Sequence, residues 1–471
     1  MIYWQLFISF FQVGLLSVGG GYAAMPLIQS QVVVQHPWLT LSEFTDLITI
    51  AEMTPGPIGI NSATFVGIRI GGILGALLAS LGFILPGCLI GSLLANLYRR
   101  WKDGPVLQGV LGALLLCALC AAAMLARVSF LERSSGDYDI YLADWLQKLA
   151  GGSFAEGMRQ NIGEYNVLYQ YILFIITRLS VPSLYAVKAV SFIGDTFLAG
   201  AAAALAQKDG KKSMAAFGLA LLLPTIVLNG GMFAQCDSLY AACALWGLAL
   251  ALEERPAGAA ACFALSLAFK LQAVFMLPMV VVLWADKKLR LSDALIFVLT
   301  LMVTALPALL GGKSLSALLS IYTAQTGLYT GLNYGAANFF ALFDTTGLDV
   351  YAYGNFGMGL AFGVCALLAV CGVRRAGKLT RRMTLRYALL FPLLIVFCLP
   401  RMHERYFYLA DAMSVAAAAE DRRMAPAAAL MAFASLGSYW ETAIPLSACA
   451  LMMLAAGIWT IGHTQREESM L

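Results

Sequence analysis

The chain has 471 residues, of which 61% are hydrophobic and 12% charged, with a mean hydropathy of +0.80. A soluble domain carries about a quarter charged residues, so the composition excludes the ordinary soluble classes and places the chain in a membrane. A formal net charge of +4, with no basic run interleaved with aromatics, argues against nucleic acid as a partner.

The first apolar stretch has no basic n-region and no small-residue cleavage site, so it reads as retained structure rather than a signal peptide. Apolar sequence is then interrupted by Gly19-Gly20-Gly21 and by Thr54-Pro55-Gly56-Pro57. Such residues break helices, and broken helices at membrane depth occur where backbone lines a cavity or is buried in protein. Helix N-termini there attract anions through free N–H groups and the positive dipole end. Gly19, Gly20, Gly21, Pro55, Gly56, Pro57 and Asn61 are therefore a candidate anion path, although packing glycines give the same pattern. Composition shifts near Lys102–Gly104, which divides the chain into segments 1–104 and 105–471.

From Val106 onward, apolar stretches near the spanning length of about 20 residues recur. They are Val106–Ala126, Leu184–Ala206, Ala215–Leu228, Leu239–Ala251, Gly258–Phe269, Val274–Ala285, Ala294–Leu310, Phe356–Val373, Ala388–Leu399, Tyr406–Ala419, Ala425–Leu436 and Ile444–Ile461. None alternates with period two, so they are helices, and the expected fold is an all-α, polytopic membrane bundle with broken helices in the N-terminal segment. Ten cysteines fall mostly inside these apolar runs; Cys117 and Cys120 read as small core residues.

Five basic clusters orient the helices: Arg99–Lys102, Lys208–Lys212, Lys287–Arg290, Arg374–Arg386 and Arg422–Arg423. With all five in the cytoplasm, the helices between them come out in even numbers. The polar residues left outside then gather on one face: Asp137, Asp139, Asp144 and Glu164; Gln235 and Asp237; Lys270 and Gln272; Tyr322, Gln325 and Asn338; and Arg401, His403, Glu404 and Arg405. A carboxylate at the membrane edge can act as a base toward a hydroxyl. Arg and His suit a phosphate, and ionisable groups beside spanning helices are usually functional. His36, His403 and His463 are too far apart to suggest a metal cluster of the usual spacing.

Two resemblances follow. Ser17-Val18-Gly19-Gly20-Gly21-Tyr22, Met53-Thr54-Pro55-Gly56-Pro57-Ile58, Asn61, Ala63–Gly67 and Leu85-Pro86 resemble the chromate transporter family over about the first hundred residues. The segment looks like one truncated half-unit of that family, whose members act as a pair of halves. Gly136-Asp137-Tyr138, Glu164-Tyr165-Asn166, Lys188 with Asp195, Gln235–Ser238, Phe269–Gln272, Asn338 and Pro400–Tyr406 resemble the type-C glycosyltransferases, in particular bacterial relatives of GPI mannosyltransferase II.

The second resemblance implies a multi-pass enzyme of a bacterial-type plasma membrane. It would move a mannose-like sugar from a polyprenyl-phosphate-linked donor to a lipid, glycan or protein acceptor on the extracytoplasmic face. Asp137 would be the base, with Asp139 as understudy. His403 and Arg405 would map to the donor phosphate, in a substrate region shared with Lys270, Gln272, Gln235, Asp237, Arg401 and Glu404. It leaves a divalent metal open. The other expectation is a chromate-type oxyanion transporter.

Overall fold

The computed structural model of the chain describes every residue except 17–20, 102–104, 161, 164, 207–209, 325–329, 440–443 and 470–471. Gly19, Gly20, Lys102, Glu164, Lys208 and Gln325, named above, therefore lie outside the described residues. The described chain is helical almost throughout, as the absence of period-two patterning requires. It divides into two compact units, Met1–Leu114 and Leu115–Leu471.

The first unit contains α1 (Ile2–Leu16), α2 (Gly21–Gln29), a π-helical turn at Ser30–Gln35, α3 (Leu41–Met53) and α4 (Ile58–Trp101); α5 (Pro105–Val128) begins in it. Thr40 starts α3 with a capping box, its hydroxyl accepting from the Glu43 N–H while Glu43 reaches back. The chain breaks at Thr54–Pro57, with Gly56 at φ +131°, a region essentially closed to side-chain-bearing residues.

α4 is not one straight rod. Gly71 and Gly72 are non-helical, Gly72 at φ +59°. Thr64 Oγ1 and Ser80 Oγ, on either side of that pair, lie 2.9 Å apart. Sixteen residues of straight helix would separate them by about 24 Å, so the two arms fold back on each other. A Cβ at Gly67 would meet the Gly75 carbonyl oxygen at 2.5 Å, which shows how closely the arms approach. Leu6, Phe10 and Val13 of α1 and Val66 and Ala79 of α4 form the core of this unit with Ile28 and Leu47.

The second unit takes in the rest of α5, then α6 (Ala143–Ala150), α7 (Phe154–Arg159), α8 (Val167–Ile176) and α9 (Ser183–Leu205). α10 (Gly210–Leu222) and α11 (Pro224–Gly231) follow, bent by 47° at Leu223, where Pro224 cannot continue the ladder. Next are α12 (Asp237–Leu252), α13 (Pro256–Phe269), a 3₁₀ turn at Leu271–Met276, α14 (Leu277–Ala285), α15 (Asp293–Leu310) and α16 (Leu315–Ala324). The last part holds β1 (Asn333–Tyr334), α17 (Val350–Arg374), α18 (Arg381–Cys398), β2 (Met402–His403), α19 (Tyr408–Glu420), α20 (Ala425–Tyr439) and α21 (Leu446–Glu468).

α18 and α19 run through the centre of this unit, buried along nearly their whole length. Alanines such as Ala199, Ala202, Ala244, Ala412 and Ala416 let the helices approach closely, as membrane packing favours. Two buried arginines are paired with acids: Arg127 with Asp195 at 2.7 Å, and Arg386 with Asp421 and, at 2.9 Å, Glu467. An unpaired charge there would carry a large desolvation penalty.

Among the described residues, six helical stretches are long and apolar enough to cross a membrane: Ile58–Ser92, Gly109–Val128, Ser183–Leu205, Asp293–Leu310, Val350–Arg374 and Leu446–Glu468. The first qualifies by length and composition only, because it contains the fold-back at Gly71-Gly72. The chain is a polytopic α-helical membrane protein.

Candidate functional site

Of the polar residues expected on one face, Asp137, Gln235, Lys270, Gln272, Arg401, His403 and Arg405 line two neighbouring cavities of the second unit, while Asp144, Asp237, Tyr322, Asn338 and Glu404 line neither. The first, about 350 Å³, is lined by Asp137, Gln235, His403 and Arg405 with an aromatic wall that includes Trp145 and Tyr165. The second, about 290 Å³, is lined by Lys270, Gln272, Arg401 and Arg405, and Tyr165 and Arg405 belong to both.

Local structure explains why these groups meet. Asp137 precedes a π-helical turn at Tyr138–Leu142. Gln235 and Asp237 flank the start of α12, and Ala234 beside them is held at φ +53°. Lys270 ends α13, and Gln272 lies in the 3₁₀ turn that follows. β2 pairs in parallel with β1, Asn333 against Met402 and Tyr334 against His403. The Arg401 N–H donates to the Leu332 carbonyl at 2.8 Å, fixing Arg401 at φ +63°. A non-glycine residue in that region is strained by roughly 1–2 kcal/mol, and such strain clusters at functional sites.

The charges are interlocked. Asp137 Oδ2 accepts from Arg405 Nη1 and from Gln235 Nε2, both at 2.8 Å. Gln235 Oε1 accepts from the Tyr165 hydroxyl at 2.7 Å. Arg405 also contacts Glu404 at 3.3 Å. Lys270 forms an ion pair with Asp237, which accepts as well from Asn229 Nδ2 at 2.9 Å. The His403 ring stacks on Tyr334, 5.2 Å between centroids. Burial, helped by the Arg405 cation, pulls the His403 imidazole down to about 4, so it is neutral at pH 7. Burial pushes the Glu404 carboxyl up, partly opposed by Arg405.

Asp139 does not join the cavity-lining group; its carboxylate accepts from Ser134 in an exposed loop. Among the described residues no three His, Cys, Asp or Glu side chains gather in a group that could hold a metal ion. Sequence reasoning missed the aromatic wall, because Tyr141, Trp145 and Tyr169 look like ordinary interfacial aromatics. It also missed Asp411, fully buried in α19; a lone acid in the run Leu409-Ala410-Asp411-Ala412 was the available signal.

In the first unit, Gly21 opens α2, and Pro55, Gly56 and Pro57 are exposed in the break between α3 and α4. Asn61, half-buried, donates from Nδ2 to the carbonyls of Ala51 at 3.1 Å and Thr54 at 3.0 Å, tying the end of α3 to the start of α4.

Residues 4–319 match the family model described as chromate transporter. The chain belongs to the chromate transporter family. Among the relatives of this chromate transporter family member, the uncharacterized transporter YwrA of Bacillus subtilis is 36% identical over 110 residues, 23% of this chain and 62% of the relative. YwrB of the same organism is 34% identical over 102 residues, 22% of this chain and 52% of the relative. The chromate transport protein of Pseudomonas aeruginosa is 38% identical over 98 residues, 21% of this chain and 24% of the relative. The matches thus span about half to three-fifths of the first two relatives and a quarter of the third.

These findings correct two expectations. The family match does not stop near residue 100 but continues to residue 319, through the first part of the segment expected to be a glycosyltransferase. The relatives are transport proteins, so the reading of the chain as a sugar-transferring enzyme is overturned, and with it the role of Asp137 or Asp139 as catalytic base.

Proposed function

We propose that the chain moves oxyanions of the chromate kind across the membrane. The observation that carries this reading is the family match over residues 4–319, which takes in all but the first three residues of the first unit and much of the second. The Pseudomonas aeruginosa and Cupriavidus metallidurans relatives are both chromate transport proteins, which points the same way.

The first unit supplies chemistry suited to an anion. The arm of α4 from Ile58 to the fold-back is about 20 Å long, too short to cross a hydrocarbon core of about 30 Å. A short arm starting from an exposed Pro-Gly-Pro break presents a helix N-terminus to whatever fills the break. Broken helices in transporters receive anions in this way. Asn61 holds the break in shape through its contacts to the carbonyls of Ala51, Thr54 and Gly56.

The test is chromate flux into proteoliposomes carrying the purified full chain, with sulfate as a second tetrahedral dianion. The full chain should exceed empty liposomes. Gly56→Ala should reduce flux, since a side chain at φ +131° costs about 1–3 kcal/mol. Asn61→Leu should reduce it by untying the break. Flux no greater than that of empty liposomes would end the transport reading.

A further inference from the structure

Asp411 lies in α19 with 1% of its surface exposed. Elsewhere in this unit the buried acids Asp195, Asp237 and Asp421 each meet an Arg or Lys. Among the described residues no cationic side chain pairs with Asp411, and no charged group bears on its carboxyl. What faces that carboxyl is the Ser435 hydroxyl of α20 and the Thr225 hydroxyl of α11, both buried. Three helices far apart in sequence thus bring three oxygens together among Ile226, Ala410, Ala412 and Ala434 of the apolar core. Asp411 Oδ1, Thr225 Oγ1 and Ser435 Oγ make no hydrogen bond within the protein.

We propose that Asp411, Thr225 and Ser435 form a binding site for a single sodium ion. The carboxylate supplies the balancing charge and the hydroxyls supply neutral oxygens.

Charge selects a monovalent cation. One carboxylate balances one positive charge, and a divalent ion would leave a second charge uncompensated in a low-dielectric interior. Spacing selects an ion over a proton. A protonated carboxyl would close on a hydroxyl to about 2.5–3.0 Å. Oxygens stand about 2.3–2.6 Å from calcium, an ion of sodium's radius, so neighbours in such a shell are about 3.3–3.7 Å apart. The three oxygens face one another without a hydrogen bond, as the ligands of an ion do.

Size selects sodium over potassium. The three oxygens have essentially no surface that a water molecule can touch. Potassium is about as large as water and sodium is smaller, so only sodium fits between oxygens this closely enclosed. The local backbone adds further ligands. Thr225 follows Pro224 at the 47° bend between α10 and α11. The last carbonyls of α10 lack intrahelical donors there, and transporters hold sodium with such carbonyls at interrupted helices. Hard cations accept carbonyl oxygens beside carboxylates, so sodium needs no group of three His, Cys, Asp or Glu. The inference does not rest on the transport reading, since binding is read without flux.

The experiment uses purified full chain in detergent at pH 7, with the thermal midpoint followed as sodium chloride replaces choline chloride at constant ionic strength. The midpoint should rise and saturate with sodium, as it does for any ligand of the folded state, and potassium chloride should not reproduce the rise. Asp411→Asn should abolish the sodium dependence. Thr225→Val and Ser435→Ala each remove one neutral oxygen and keep the carboxylate, so they test the site even where Asp411→Asn fails to fold. Each should raise the half-saturating sodium concentration at least about tenfold without lowering the midpoint in choline. A purely structural role would lower the midpoint equally in both salts and would overturn the proposal. So would equal midpoints in sodium and choline, an equal response to potassium, or a sodium response retained in Asp411→Asn. A wild-type midpoint that ignores sodium but changes with pH through Asp411 would overturn it too, and would mark the site as one for a proton.

Discussion

His403 is half-buried between cations and aromatic rings, and that environment has a measurable consequence. Arg405 and Lys270 press its imidazole toward neutrality, Asp137 pulls the other way, and burial is the largest effect, leaving the ring titrating at about 4. Tyr334 and Tyr406 cover its faces, and Glu404 lies 3.9 Å from Nδ1. In the unfolded chain the same ring titrates near 6.5. Above pH 6.5 both states are neutral and the residue is silent. As pH falls from 6.5 toward 4, the unfolded state takes up a proton that the folded state refuses, so stability is lost, by about 3 kcal/mol at full extent. Glu404 works in the opposite sense: with its folded value raised, it gains its proton early and offsets part of the loss. His403→Gln should therefore flatten the decline of the thermal midpoint between pH 6.5 and pH 4.5. Parallel declines in variant and wild type would show that the ring is not the titrating group.

At the scale of elements, the fold-back of α4 separates a spanning helix from a hairpin. With native cysteines replaced, Thr64→Cys with Ser80→Cys should cross-link readily under mild oxidation, because the native hydroxyls are 2.9 Å apart. A straight helix would hold the pair about 24 Å apart and give no cross-link. Adding Gly67→Val should abolish the cross-link, since any Cβ at Gly67 collides with the opposite arm. The sequence reading did not find this hairpin. Ile68-Arg69-Ile70-Gly71-Gly72-Ile73-Leu74 reads as continuous apolar helix, and only the adjacent glycines carry the signal for a positive φ. Other elements were plain: the stretch Leu184–Ala206 became α9 at Ser183–Leu205 because Pro182 precedes it and its two charged residues are met inside the protein, Lys188 by the Leu131 carbonyl and Asp195 by Arg127. The ionisable residues of the cavities were legible for a related reason, being polar groups stranded among apolar helices. Their pairing was not, since Asp137 and Arg405 are 268 positions apart.

For the whole molecule, the glycine and proline motifs revealed the family over the first hundred residues, but its reach to residue 319 was hidden, because later apolar helices carry few distinctive residues. Topology can still be argued from charge. α17 has 25 residues, about 37 Å of helix against a hydrocarbon core of about 30 Å, so its two ends lie on opposite sides of the membrane. Its Val350 end borders the cavity lined by Lys270, Gln272 and Arg401, and its far end meets Arg374, Arg375, Lys378, Arg381, Arg382 and Arg386. The densest basic cluster of the chain belongs in the cytoplasm by the positive-inside rule, which puts the cavity outside. Thr346→Cys should react with a membrane-impermeant maleimide on intact cells, since that position is exposed in the loop before α17. Lys378→Cys should react only after permeabilisation. Labelling of both positions on intact cells would mean that α17 does not span. Labelling of Lys378→Cys alone would invert the topology and place the cavity in the cytoplasmic leaflet.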